Sequence, residues 1–149
     1  MKTFVFDEYK LKFFPVYPCT ADVKYPQELI VRKNGMKFNQ IFVVSDGIGS
    51  LNVGDEFFDM KKGDMFFLPS GCPHTYRGKN RKFKTTYMGF SGGGCESLFD
   101  YYNVHAGCVY SGVNSAGVEA AISDLYECFE YESEISVLSS KAYNAVNLF

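Results

Sequence analysis

The sequence predicts a mostly β domain, an antiparallel jelly-roll barrel followed by a C-terminal helical pair. Short β-branched and aromatic runs recur between glycine turns up to residue 90, which is the pattern of an antiparallel barrel or sandwich. From Ser115 the apolar period becomes helical. Aromatic rings are plentiful, 15 Phe and 11 Tyr with no Trp, and such rings fill a β core or line a ligand cavity. A chain of 149 residues suits one domain with an appendage. The expected division is a barrel with an N-terminal arm over 1–112 and a helical dimerisation segment over 113–149.

The arm is aromatic but irregular, with Phe4, Phe6, Tyr9, Phe13, Phe14 and Tyr17, and Pro15 and Pro18 should interrupt any long strand. It either lies on the main body or folds over a ligand. A short strand over 28–32 ends at Lys33, Asn34 and Gly35, and a longer one covers 37–45. Strands over 50–53 and 56–60 are separated by Gly54 and Asp55, the composition of a tight hairpin turn. Gly63 and Asp64 then feed the apolar run 65–68. Pro69 and Pro73 end that run because proline cannot donate to a ladder, and Gly71 between them can take a positive φ. His74 and Tyr76 follow, two residues apart, so on a strand they face the same side. A strand over 82–90 ends at three glycines, 92–94, which lack the residues of a phosphate loop and read as a flexible exit from the sheet. A short helix over 96–102 and a last strand at 109–110 complete the barrel segment.

Val118, Ile122, Leu125 and Phe129 recur at helical spacing. A second helix starts at Ser133, with Glu134 in its first turn. In it Ile135, Leu138, Ala142, Ala145 and Phe149 alternate steps of three and four, the seam spacing of helices packed side by side. That seam is either internal or a dimer interface in which the alanines allow close approach. The pattern is unfinished at Phe149, so the natural polypeptide is expected to continue.

A net charge of −2 argues against this chain gripping a phosphate backbone by itself. The run from Lys79 to Lys82 reads as a solvated hairpin turn. Five cysteines without a CxxC pair, and no signal or membrane-spanning run, fit a reduced cytoplasmic protein that uses cysteine as a small hydrophobe.

Gly63, Pro69, Gly71 and His74 resemble the second motif of the cupin superfamily, although Gly78 stands where its asparagine is usual. The region of the first motif, 49–58, contains no histidine, and the only other one is His105. Neither a metal nor another cofactor is therefore expected, since a catalytic metal needs several converging ligands. A closer resemblance covers nearly the whole chain. Arg32 with Gly35, Met36 and Lys37, then Gly47 and Gly49, the Gly63–Tyr76 pattern, the aromatic strand to Phe90 and the helical pair are similar to the N-terminal domain of AraC-type (AraC/XylS) transcription regulators.

The resemblance implies a metal-free barrel that binds a small-molecule effector, a sugar or similar polar metabolite. It also implies a homodimer held by the helices, and DNA binding only through a C-terminal domain absent from this chain. Carried over from the arabinose-responsive member, Arg32 and Tyr76 match pocket residues. Tyr87 replaces a stacking tryptophan and Thr85 a histidine. His74 either holds the corner or contacts ligand. The alternative is a stand-alone cupin enzyme, a sugar isomerase or epimerase, with His74 near Asp64 or Glu56 as an acid/base pair.

Overall fold

Alternation along two strands determines the layout of the whole chain. The computed structural model describes residues 1–24, 29–105, 108–111, 114–131 and 134–149. Within them the order is β1 (Lys2–Thr3), α1 (Glu8–Leu11), β2 (Tyr17–Lys24), β3 (Ile30–Arg32), β4 (Asn39–Asp46), β5 (Ile48–Val53) and β6 (Glu56–Lys61). Next come β7 (Met65–Leu68), β8 (His74–Gly78), β9 (Lys84–Ser91), α2 (Cys95–Tyr102), β10 (Val109–Tyr110), α3 (Ser115–Cys128) and α4 (Ile135–Leu148). The expected strand start at Glu28, the helix start at Ser133 and the division between 112 and 113 lie outside the described residues.

Two antiparallel sheets form, in the orders β1-β2-β9-β4-β7-β10 and β3-β8-β5-β6. Taken from β2 to β9, strands one, eight, three and six face strands two, seven, four and five, which is jelly-roll connectivity. On β4 and β7 the side chains alternate between two cores. Phe42, Val44, Phe66 and Leu68 point between the sheets, with Leu51, Met60, Tyr76, Phe83 and Tyr87. Ile41, Val43, Met65 and Phe67 point the other way, onto Val118, Ile122 and Leu125 of α3 and Leu138, Ala142 and Ala145 of α4. Each large side chain so buried contributes about 1.5–3 kcal/mol.

The seam of α4 therefore lies inside the chain. Leu138, Ala142 and Ala145 are buried in the core shared with α3 and the six-stranded sheet, Phe149 packs against the same core, and Ile135 is buried at the start of the helix. Their spacing serves helix-on-sheet packing, and the outward face of α4 carries Val137, Ser140 and Tyr143 instead.

Two local expectations are corrected. Pro18 does not interrupt a long strand: β2 runs through it, because Pro18 sits at the start of the strand beside a register shift between Pro18 and Thr20. Of the glycines expected to form a flexible exit, Gly92 and Gly94 are held against Pro15. Gly94 N–H donates to the Pro15 carbonyl at 2.9 Å, and a Cβ on Gly92, at φ +140, would stand 2.1 Å from that oxygen. Only glycine allows this approach.

The arm lies on the body. β1 pairs with β2, Phe4 meets Phe129 edge-on at 4.7 Å, and Lys2 Nζ donates to the Tyr126 carbonyl at 2.7 Å.

Candidate functional site

Between the sheets the side chains form a packed core whose floor is made of rings. Phe66, Phe42 and Tyr87 lie side by side on neighbouring strands, with centroids 4.4 and 5.0 Å apart and nearly parallel planes. Tyr76 crosses from the opposite sheet and meets Phe42 edge-on at 5.6 Å. Offset and edge-on pairs of this kind satisfy the ring quadrupoles.

Polar groups collect around this floor by register. Asp22 pairs with Tyr87 across β2 and β9, and Thr20 pairs with Gly89 on the same face. Arg32 pairs with His74, and Ile30 with Tyr76, so Arg32 shares the inward face of the smaller sheet. Asp22 is buried and meets the Met1 amine at 3.1 Å and Lys24 at 3.9 Å. Burial pushes the Tyr76 hydroxyl well above the ordinary phenol value and raises that of Tyr87. Asp22 pushes in the same direction and the Arg32 guanidinium opposes it, so both charges act on both phenols. Arg32 is exposed at the rim, where it, His74, Asn52 and Pro73 line a shallow cavity of about 240 Å³.

Two hydroxyls in this region are buried without a hydrogen-bond partner, Thr20 Oγ1 and Thr85 Oγ1. Thr20 stands close enough to the Tyr87 hydroxyl to draw its pKa down, yet short of hydrogen-bonding geometry. Thr85 pairs with Val44 and Lys24 and is fully buried. A buried polar group left unpaired costs about 1–3 kcal/mol, which makes both hydroxyls candidates for a ligand.

The structure thus places Arg32, His74 and Tyr76 on the inward face of the smaller sheet, and Thr85 and Tyr87 on the inward face of the larger one. Asp22 and Thr20 join them, and sequence reasoning missed both because the arm offered no motif. A signal was present: Thr20 and Asp22 are polar residues two apart, flanking Ala21.

His74 holds the corner. Its Nδ1–H donates to the Cys72 carbonyl at 2.8 Å, and burial, with the Arg32 charge, holds its pKa below the ordinary 6.5. The unfolded chain therefore takes up this proton more readily. The stability His74 contributes is complete above 6.5 and is lost as pH falls through the folded value. His74→Asn, which keeps a donor but does not titrate, is expected to flatten the fall in urea midpoint below pH 6.5. An unaltered pH profile would assign that fall to other groups.

Of the two carboxylates considered as acid/base partners of His74, Glu56 and His74 flank Val53 in one cross-strand row, whereas Asp64 is engaged elsewhere. Asp64 accepts from Ser111 Oγ at 2.7 Å and from the Lys61 N–H at 2.8 Å. Among the described residues, no three His, Cys, Asp or Glu side chains converge as a metal site. A second cavity, of about 420 Å³, is lined by Asp59, Asp64, Lys79 and Ser111, and both of its carboxylates are already paired. The Cys95 thiol is pushed up to about 11 by burial, as suits a core residue. No helix among the described residues is long and apolar enough to cross a membrane.

A comparison with curated proteins finds no match. Among solved structures, a cupin-2 domain containing protein from Shewanella frigidimarina is similar at 17% identity and a TM-score of 0.40, with 47% of this chain and 66% of that one covered. The plu4264 protein of Photorhabdus luminescens gives 21% identity and a TM-score of 0.40, covering 54% of this chain and 65% of that one. An HTH_3 family transcriptional regulator from Vibrio cholerae gives 13% and 0.39, covering 45% and 38%. This chain thus spans just under two thirds of the first two structures and well under half of the third. Residues 15–146 match the family described as AraC-like ligand binding domain, a span that includes Thr20, Asp22, Arg32, Tyr76, Tyr87 and nearly all of both helices. The chain belongs to the family of AraC-like ligand binding domains.

Proposed function

We propose that this chain is the effector-sensing and dimerisation domain of an AraC-type transcription regulator. In this reading it is a binding module, not an enzyme, and it works in the cytoplasm. It takes a small polyhydroxylated metabolite of the sugar class between its sheets without a metal. DNA is contacted by a separate domain outside this chain. The observation that carries the reading is the fully buried, unpartnered Thr85 hydroxyl on the same strand face as Tyr87. A sugar hydroxyl would satisfy it while the sugar ring lies on an aromatic face.

Arg32 provides a fork of donors at the rim, and Asp22 and Thr20 offer acceptors on the opposite wall. His74, Tyr76, Thr85 and Tyr87 complete the proposed ligand set. The homodimer of this reading uses the outward face of α4, because Leu138, Ala142 and Ala145 are committed to the internal core and Ile135 is buried. The ligand acts on the regulator only through a difference in affinity for two states.

A thermal-shift screen over a sugar panel tests the reading. A subset of sugars is expected to raise the melting temperature of the wild-type chain, and Arg32→Ala, at an exposed position, is expected to abolish that rise without lowering the ligand-free melting temperature. A panel in which no sugar stabilises the wild type would sink the sugar class. Stabilisation that survives Arg32→Ala would remove Arg32 from the site.

A further inference from the structure

We propose that a second small-molecule site lies outside the barrel, between α2, β10 and the end of α4, and that it takes an uncharged planar aromatic molecule of about the size of indole. A cavity of about 220 Å³ opens there, on the helix side of the six-stranded sheet. Its size sets the class of occupant, since an apolar cavity of roughly 150 Å³ already accommodates benzene.

Ring pairs form its walls. Phe67 of β7 and Phe99 of α2 lie with centroids 4.4 Å apart, and Tyr110 of β10 meets Phe149 edge-on at 5.6 Å. Ile41 and Val146 add aliphatic surface from the sheet and from α4. Rings at these inclinations present faces and edges together, which suits another aromatic ring better than a flexible alkyl chain.

Its polar chemistry is sparse. The Tyr102 hydroxyl donates to Asn147 Oδ1 at 2.9 Å, and the Tyr110 hydroxyl accepts from the His105 N–H at 2.9 Å, so both are engaged. Among the described residues, no side chain lining the cavity is a carboxylate or a cation. A charged ligand would lose its hydration with nothing to replace it. The Asn103 amide is the remaining polar side chain of the lining, enough for one N–H or O–H on an otherwise apolar molecule.

The site is separate from the space between the sheets. Ile41 and Phe67 point away from it, while their neighbours Phe42 and Phe66 point into it. Val146 and Phe149 belong to the end of α4, so an occupant would tie that end to the sheet.

Indole is a suitable probe, because the chain contains no tryptophan and indole emission is then read without background. Titration of the 149-residue chain is expected to give saturable binding with a stoichiometry of one, and intermolecular nuclear Overhauser effects from indole to the rings of Phe99 and Phe149. Benzoate should not compete. Val146→Phe, which fills the cavity, should weaken binding by at least about tenfold, whereas Arg32→Ala should leave it within about twofold. Absence of saturable binding, contacts to Phe42 or Tyr76 instead, or an unchanged affinity in Val146→Phe would each overturn the proposal. Should Val146→Phe fail to fold, the contacts measured on the wild-type chain decide it alone.

Discussion

Replacing Leu138 with glutamate is expected to unfold the domain, not to release a folded monomer. Leu138 is 1% exposed and packs in the layer formed by α3, α4 and the outer face of the six-stranded sheet. Removing a leucine from such a site costs about 2–5 kcal/mol. The new carboxylate would also be buried without a partner, which costs further or forces the chain open. Against a typical domain stability of about 5–15 kcal/mol, the sum leaves little or no folded population. The check is the urea transition followed by circular dichroism, in which the cooperative step should shrink or vanish. Tyr143→Glu is the matched control on the outward face, at 39% exposure. It should stay folded, with stability within about 0.5 kcal/mol of wild type. By sedimentation it should also be monomeric, in keeping with the proposed use of that face by the dimer. A stable, monomeric Leu138→Glu would return the seam to a role between subunits.

Truncating Phe42 to alanine should cost about 3–5 kcal/mol, the range for a fully buried phenylalanine. Phe42 is 0% exposed and stands between Phe66 and Tyr87, with Tyr76 against its edge. Its removal breaks three ring contacts, each worth about 0.5–1.5 kcal/mol beyond simple burial. It also leaves Tyr87 without its neighbour, so any sugar that stabilises the wild-type chain should stabilise this variant less. Urea titration gives the first effect and the thermal-shift panel the second. A midpoint close to wild type would contradict the ring floor described above.

The sheet was readable because its strands carry their own punctuation. Gly54 and Asp55 do separate β5 from β6, and Gly71 does take a positive φ between Pro69 and Pro73. The helical period at Val118, Ile122 and Leu125 was equally plain, and all three are buried. What the α4 spacing could not convey was its partner. Steps of three and four produce an apolar stripe, and a stripe fits a sheet face as well as a second subunit. The arm was opaque for a different reason. Pro18 argues against a strand unless a bulge absorbs it, and a bulge depends on the opposite strand, β9, some seventy residues away. Thr20 and Asp22 went unseen with it. Gly92 and Gly94 carry no local signal of their role, because their demand for space arises from Pro15, which is distant in sequence.

The alternation along β4 and β7 has a consequence for how the gene can change. Ile41 and Phe42, or Phe66 and Phe67, differ by one position yet belong to different cores. Inserting or deleting a single codon within either strand would exchange every following side chain between the two cores at once. Such length changes should be absent from functional variants of these strands. Substitutions that keep apolar character on both faces should survive. The Gly54–Asp55 turn, where a Cβ on Gly54 would meet nothing within 4 Å, is where added residues should be tolerated.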